Sequence, residues 1–417
     1  MTKRLAKVRH NLIGALDIGS SKICCWVGQF DESNHFNIIG KGHKASKGFS
    51  GGVVTDINAL EASIAEAVSE AERTSGETLR SVFMNVSGTY VGSTIKQVEI
   101  SIPNQTVEEA DLKRLSLQAR LEQDPETFGT LHTIPLQYNL DGQLGIRDPK
   151  GMIGSRLKGV VHVISAGLGP LRNLLMSVER CHLNISALVS SPYASGLACL
   201  TEDEKELGVT LIELGGGSTN LALFWGGSLV YTTVIPIGSH HITQDLARGL
   251  ETSIHHSERL KVLYGAALAS ENDQREVIAI PQLGEENSCI QKVQRSVLIR
   301  IIQPRLKEIF YHVARKLEAS GFEKLVGQRV VLTGGGSQLT GIREFAAEVL
   351  KKSVSFAKPI SFSNAPEGNR PEFATVIGLL SYAQTEEFQR MQAFMGHHER
   401  SQQTVWARAV GWMRENL

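Results

Sequence analysis

Three glycine-rich turns, each closing an apolar run, constrain this chain more than any other feature. They are Asp17-Ile18-Gly19-Ser20-Ser21-Lys22, Glu213-Leu214-Gly215-Gly216-Gly217-Ser218-Thr219-Asn220 and Thr333-Gly334-Gly335-Gly336-Ser337. The first two lie between apolar runs and read as strand–turn–strand hairpins, not as the strand–turn–helix units of Walker loops or Rossmann fingerprints. Glycines there let successive backbone N–H groups converge with no Cβ in the way, which makes an anion-binding concavity. Two facing concavities can clamp a polyphosphate. The hydroxyls of Ser20, Ser21, Ser218 and Thr219 add donors, and Lys22 offers a point charge for terminal phosphate oxygens. Asp17 and Glu213 stand where each strand enters its turn, as suits carboxylates that hold a hydrated Mg²⁺ through its waters. In the third turn, between a strand and a helix, Gly334, Gly335 and Gly336 would let a flat base or ribose approach closely. Any one of these turns alone reads as a structural hairpin. The ordered set of three is far more specific.

The spacing around the turns predicts a chain that states one theme twice. Leu12–Leu16, Ile23–Val27 and Phe36–Gly40 read as an opening β-meander. Ile57, Leu60, Ile64, Ala67, Val68 and Ala71 recur at helical spacing, with Asp56 or Asn58 as N-cap and Gly76 as the stop. Strands follow at Ser81–Ser87 and Thr94–Ile102, then a charged surface helix over Val107–Leu121 capped by Thr106. The stretch from Asp124 to Arg156 is punctuated by Gly and Pro and reads as irregular. A strand at Val160–Ser165 and a helix around Leu171–Arg180 lead to Val209, where strand–glycine–strand begins again. This weak internal repeat predicts two related lobes. A long helix from about Cys289 to Ala319, the strand before the third turn and a helix from about Leu339 to Leu350 complete the second. The polar residues 385–403 read as a tether.

At 417 residues the chain is long enough for several subdomains, and its 41% hydrophobic and 21% charged composition suits a folded globular protein. Lys+Arg and Asp+Glu both number 43, so no global field draws it to nucleic acid. The five cysteines, at 24, 25, 181, 199 and 289, are odd in number and lack C-x-x-C spacing, which predicts reduced thiols in a cytoplasmic protein. Asp17 cuts short the apolar run after the basic start, so a signal peptide is not expected. No stretch of about 18 apolar residues could span a bilayer.

The three turns in order resemble the phosphate-1, phosphate-2 and adenosine motifs of the actin, Hsp70 and sugar-kinase superfamily. Within it, VFMNVSGTYV from Val82, TEDEKELGVTLIELGGG from Thr201, VIPIGSHHITQDLA from Val234, IIQPRLKEI from Ile301 and VVLTGGGSQLTGI from Val330 most resemble the FtsA cell-division family. The resemblance runs over nearly the whole chain. It implies an α/β, actin-like fold of two ribonuclease-H-like lobes with a family-specific inserted subdomain and a C-terminal amphipathic helix. The implied division is 1–84 with 163–197 as the first lobe core, 85–162 as the insert, and 198–238 with 308–384 as the second lobe core. Residues 239–307 would be the second lobe's small subdomain, 385–403 a linker and 404–417 the terminal helix. The resemblance implies ATP and Mg²⁺ as ligands, with Glu258 and Lys261 facing the ribose. It implies filaments of the protein itself, FtsZ as partner, later divisome proteins and a peripheral place on the inner face of the cell membrane at the division site. Glu213 stands where relatives usually show Asp, and Asn220 where many show a second Asp, which predicts slow turnover at best. Rival readings are another actin-fold scaffold, for pilus assembly or rod shape, or an ATP-dependent small-molecule kinase.

The last residues add an independent signal. Trp406, Ala409, Val410, Met413 and Leu417 recur at helical spacing, and with Val405 and Trp412 the apolar positions fill an arc of roughly 160°. Arg408, Arg414 and Glu415 lie off that stripe, and two of the four tryptophans fall in the last dozen residues, as expected of an interfacial anchor on anionic membrane. The pairs His240-His241, His255-His256 and His397-His398 read as surface histidines rather than metal ligands. Arg295, Arg300 and Arg305 read as solvated.

Overall fold

The computed structural model describes residues 12–31, 36–121, 124, 126–283, 290–359, 369–385 and 388. Strands β1 (Leu12–Ile18), β2 (Lys22–Phe30) and β3 (Phe36–Ala45) form an antiparallel meander. A short hairpin, β4 (Phe49–Ser50) and β5 (Val53–Val54), leads into α1 (Ile57–Ser75). The Asp56 side chain caps α1 by accepting from the Asn58 and Ala59 amides, and Gly76 ends it at φ 72°, a conformation suited to glycine. The apolar stripe Leu60, Ile64, Ala67, Val68 and Ala71 is buried, as its period predicts. Strand β6 (Ser81–Val86) returns parallel beside β1.

An inserted unit then interrupts the lobe. It comprises β7 (Val91–Ser101), α2 (Glu109–Leu121), β8 (Phe128–Leu140), β9 (Gln143–Ile146) and β10 (Arg156–Gly167). The strands form a sheet in the order β7-β10-β8-β9, and α2 packs on one face over a core of its own that includes Val98, Leu115, Leu157 and Val161. The stretch Asp124–Arg156 is therefore mostly strand, not irregular chain. Thr106 does not cap α2. It forms a β-bridge with Ile153, and the helix begins three residues later.

The first lobe closes with α3 (Leu168–Glu179), β11 (Asn184–Ser190) parallel to β6, and α4 (Ser191–Cys199). After α5 (Glu202–Leu207), the second lobe repeats the plan: β12 (Val209–Leu214), β13 (Thr219–Trp225) and β14 (Ser228–Ile235) form a meander. Helices α6 (Ser239–Leu250) and α7 (Ile254–Tyr264), the hairpin β15 (Val277–Pro281) with β16 (Ile290–Gln294), and α8 (Arg295–Ala319) follow. Then come β17 (Arg329–Thr333), α9 (Ile342–Leu350), β18 (Ser353–Phe356) and α10 (Ala374–Tyr382). The two main sheets, β11-β6-β1-β2-β3 and β14-β13-β12-β17-β18, share one order and one pattern of parallel and antiparallel neighbours. The internal repeat is thus a repeat of topology.

The long helix starts at Arg295 rather than near Cys289, because residues Ile290–Gln294 pair with β15. It also runs unbroken through position 307, where a subdomain boundary was drawn. Arg295 and Arg305 are not merely solvated: Arg295 pairs with the buried Asp273 at 2.9 Å and Arg305 with Asp245 at 2.7 Å.

Each lobe's closing helix covers the other lobe. α4 packs on β12 and β13, while α10 packs on β1, β2 and β6 and against α4. The two helices meet backbone to backbone, since a Cβ on Gly378 would lie 1.8 Å from the Ala194 carbonyl oxygen.

The insert is pinned to both lobes by histidines. His132 Nε2 accepts from the Ser190 amide at 2.9 Å, and its ring packs on Tyr193 and Tyr382. His162 reaches the second lobe: the Leu229 carbonyl, 2.8 Å from Nδ1, can only accept, so Nδ1 carries the proton. Nε2 then accepts from Ser93 Oγ at 2.6 Å, which in turn accepts from the Thr232 amide at 3.2 Å. Burial pushes the His162 imidazole down to about 4, with the Leu229 bond opposing and the nearby His132 adding to the effect. The unfolded chain therefore binds the proton first as pH falls, and the stabilisation is lost between about pH 6.5 and about pH 4. We expect acid to cost up to about 3 kcal/mol through this residue. Urea unfolding at pH 7 and pH 4.5 should show that loss in the parent and much less of it in His162→Gln; equal losses would clear His162.

Candidate functional site

The cleft between the lobes encloses about 430 Å³ and gathers all three glycine turns. The first two turns are congruent: the Gly19 amide donates to the Lys22 carbonyl at 3.1 Å, and the Gly215 amide to the Ser218 carbonyl at 2.9 Å. They meet tip to tip. A Cβ on Gly217 would lie 2.4 Å from Ser20 Oγ, and that hydroxyl already accepts from the Gly51 amide at 3.0 Å. The third turn docks beside the second through Gly334, whose φ of 83° suits glycine and whose added Cβ would lie 2.5 Å from the Leu214 carbonyl oxygen.

Asp17, Gly19, Ser20, Ser21 and Lys22 line the cleft from the first lobe; Glu213, Gly215, Gly216, Gly217 and Ser218 line it from the second. Glu258, Lys261, Gly334, Gly335 and Gly336 line it too. Thr219 does not. The pleat of β13 turns it inward, where it is buried and its hydroxyl donates to the Ile237 carbonyl at 2.7 Å. Lys22 stands 3.8 Å over the ring of Phe373, a cation–π contact that holds its ammonium at the rim.

The two carboxylates are buried on opposing hairpins. Burial first, and then the charge of Glu213, push the Asp17 carboxyl up to about 7, with Lys22 pulling the other way. Glu213 is fixed by two donors, Thr375 Oγ1 at 2.6 Å and Asn220 Nδ2 at 2.9 Å. Asn220 Oδ1 in turn accepts from Ser87 Oγ of the first lobe at 2.9 Å, and Asn85 holds the exit of β1 by accepting from the Ile18 amide at 2.7 Å. Lys261 Nζ donates to Glu258 at 2.7 Å and to the Ser239 carbonyl at 3.2 Å. Burial works to raise the Glu258 carboxyl, yet hydrogen bonds from Lys261 and Thr243 outweigh it and hold the group below its ordinary value.

Asn85, Ser87, Ser191, Asn220 and Thr375 also line the site, and the glycine patterns gave no hint of most of them. Asn85 carried one available signal, a lone amide near the end of the apolar strand VFMNV. Asn220 ends the second turn itself, and the other three are drawn in by tertiary packing alone.

Two lobes of one topology, facing across a cleft of paired hairpins, define an actin-like protein. Its fold matches the PilM–PilN type IV pilus biogenesis complex (TM-score 0.61, 19% identity, covering 88% of this chain and 97% of that one). It likewise matches MreB5 of Spiroplasma citri bound to ADP (TM-score 0.54, 12% identity, 92% and 99% covered). The family model described as cell division protein FtsA matches residues 210–378, and that of the SHS2 domain inserted in FtsA matches residues 88–165. Cell division protein FtsA of Agrobacterium fabrum is 39% identical over 399 residues, covering 93% of this chain and 90% of its own. The FtsA proteins of Bacillus subtilis (35% over 376 residues, 90% and 84% covered) and Escherichia coli (30% over 381 residues, 89% and 90%) are similar too. The chain belongs to the FtsA family of cell-division proteins.

Proposed function

We propose that this chain binds ATP with Mg²⁺ in the cleft and forms filaments that hold an FtsZ ring to the inner face of the cell membrane and help bring in later division proteins. The observation that carries the nucleotide part is the tip-to-tip meeting of two congruent glycine hairpins, with Asp17 and Glu213 behind them. MreB5, with the same fold, was solved with ADP. A buried Asp17 whose proton affinity is raised by burial and by the charge of Glu213 fits a hydrated divalent cation beside the two carboxylates, which would relieve their repulsion and neutralise phosphate charge. Glu213, with both oxygens already accepting hydrogen bonds, suits holding such a cation more than taking a proton, in keeping with slow turnover.

The membrane part rests on residues 404–417, which lie outside the described residues. Among the described residues no helix is long and apolar enough to cross a membrane. An interfacial helix immerses Val405, Trp406, Val410, Trp412, Met413 and Leu417 only in part, so it yields several kcal/mol in all rather than the roughly 1.5–3 kcal/mol that each large side chain gives on full burial. Arg408 and Arg414 add about 1 kcal/mol each on anionic lipid. A single copy therefore binds marginally, and a filament binds through avidity. Co-sedimentation with anionic vesicles tests this. The full chain should pellet more with ATP than without it, and should carry an FtsZ-like protein down from a bacterial lysate. Trp406→Glu and a chain ending at Gln403 should stay in solution. If both altered chains pellet as well as the parent, the tether idea fails.

A further inference from the structure

The histidines read as surface residues include one that crosses the cleft. His240 is the second residue of α6 in the second lobe, and its Nε2 lies 2.8 Å from Ser21 Oγ at the tip of the first-lobe hairpin. Its position is fixed by its own backbone, because the His240 amide donates to the Gly216 carbonyl at 2.8 Å. The ring therefore travels with the phosphate-2 hairpin. The missing side chain of Gly216 opens the space these groups share: a Cβ built there would meet Ser21 Oγ at 2.9 Å, His240 Cε1 at 3.1 Å and His240 Nε2 at 3.2 Å. A serine hydroxyl, an imidazole edge and an open glycine position thus converge on one point between the two hairpin tips.

We propose that His240 is a phosphate-contacting residue, which donates from Nε2 to the terminal phosphate of a bound nucleoside triphosphate and so helps the cleft prefer triphosphate to diphosphate. The inference rests on the nucleotide reading above. A nucleotide whose base lies by the third turn, near Val262 and Leu339, runs along the cleft toward the two hairpin tips, and its last phosphate is the group that reaches them. In the structure the Ser21 oxygen sits where a phosphate oxygen would partner Nε2. Binding exchanges a neutral acceptor for an anionic one, and hydrogen bonds to charged acceptors are about twice as strong.

The electrostatics agree in sign. Partial burial, and then the charge of Lys261 on α7, hold the His240 imidazole below its ordinary value; Glu258 opposes them and His241 adds to them. The facing hairpin carries Lys22, whose ammonium is turned over Phe373. Further along α6, Asp245 is paired with Arg305 of α8. A polyphosphate brought to Nε2 favours the imidazolium, so triphosphate binding takes up a proton here and strengthens as pH falls from 8 to 6.

The test measures affinities of the full chain for ATP and ADP, each with Mg²⁺, at pH 8, 7 and 6, in the parent, His240→Gln and His240→Ala. Glutamine keeps a neutral donor of similar reach and cannot titrate. The nucleotide's own titration is common to all three proteins and cancels between them. Measured against the two variants, which share the titrations of the nucleotide and of Asp17, the parent's preference for ATP over ADP should grow about fivefold more from pH 8 to pH 6. At pH 6 His240→Ala should bind ATP about tenfold more weakly with ADP little changed, and His240→Gln should fall between. A parent that binds both nucleotides with a ratio matched by His240→Ala at every pH overturns the proposal. So does an equal loss for ATP and ADP, which would make the residue a structural clasp between the lobes. If the parent binds neither nucleotide, the nucleotide reading falls and this inference falls with it.

Discussion

Gly216→Val is expected to weaken ATP·Mg²⁺ binding by about a hundredfold or more, or about 2.7 kcal/mol, while leaving the fold intact. The added Cβ and its two methyl groups would fill the space between the hairpin tips, where Ser21 Oγ would lie 2.9 Å and His240 Nε2 3.2 Å from the Cβ alone. Those neighbours are side-chain ends, so they can shift without moving backbone, and Gly216 is not at positive φ. The site is lost and the lobes are not. Gly217 would be a poorer choice, since a Cβ there meets the Gly51 amide nitrogen at 2.8 Å and would displace backbone. Titration calorimetry with ATP, set beside thermal unfolding, checks both halves of the expectation. Unchanged affinity would remove the cleft from consideration.

Gly378→Val should have the largest effect on stability, at least about 4 kcal/mol and, for a chain of this length, about 5 °C or more in midpoint. The Cβ itself would lie 1.8 Å from the Ala194 carbonyl oxygen and 2.2 Å from its carbon, so no rotamer relieves the clash. α10 would have to leave α4, and with it the buried surface it shares with β1. Gly335→Ala is the matched control, because a Cβ there meets nothing closer than 3.7 Å. Thermal unfolding of both variants decides the matter: a Gly378→Val protein as stable as the control would mean that the α4–α10 contact is not close packed.

The site's skeleton was legible because its signals are local. A glycine turn between two apolar runs writes a hairpin within a dozen residues, and the cap at Asp56 and stop at Gly76 mark α1 in the same way. What eluded sequence reasoning has tertiary causes. Strand β8 hides its alternation because both its faces are occupied: Leu131 and Ile134 pack on the core containing β1, while Leu136 packs on that of the second lobe. Thr219 sits in a phosphate-like motif, and only the pleat of β13 shows that its hydroxyl faces away. His240 and Ser21 are 219 positions apart, and no spacing rule links them. Arg295 and Arg305 looked solvated because Asp273 and Asp245 are brought to them by the packing of α8.

The crossing of α4 and α10 also sets when this protein can finish folding. The Ser195 and Thr375 hydroxyls meet at 3.0 Å across 180 positions, and the helix bearing Thr375 is the one that covers β1. During synthesis β1 emerges well before α10. At about 5–20 residues per second, the α4 half of that pair waits about 10–40 s for its partner. Through that interval the surface of the first lobe's sheet meant for α10 stays exposed, so the lobe that leaves the ribosome first cannot be the one completed first.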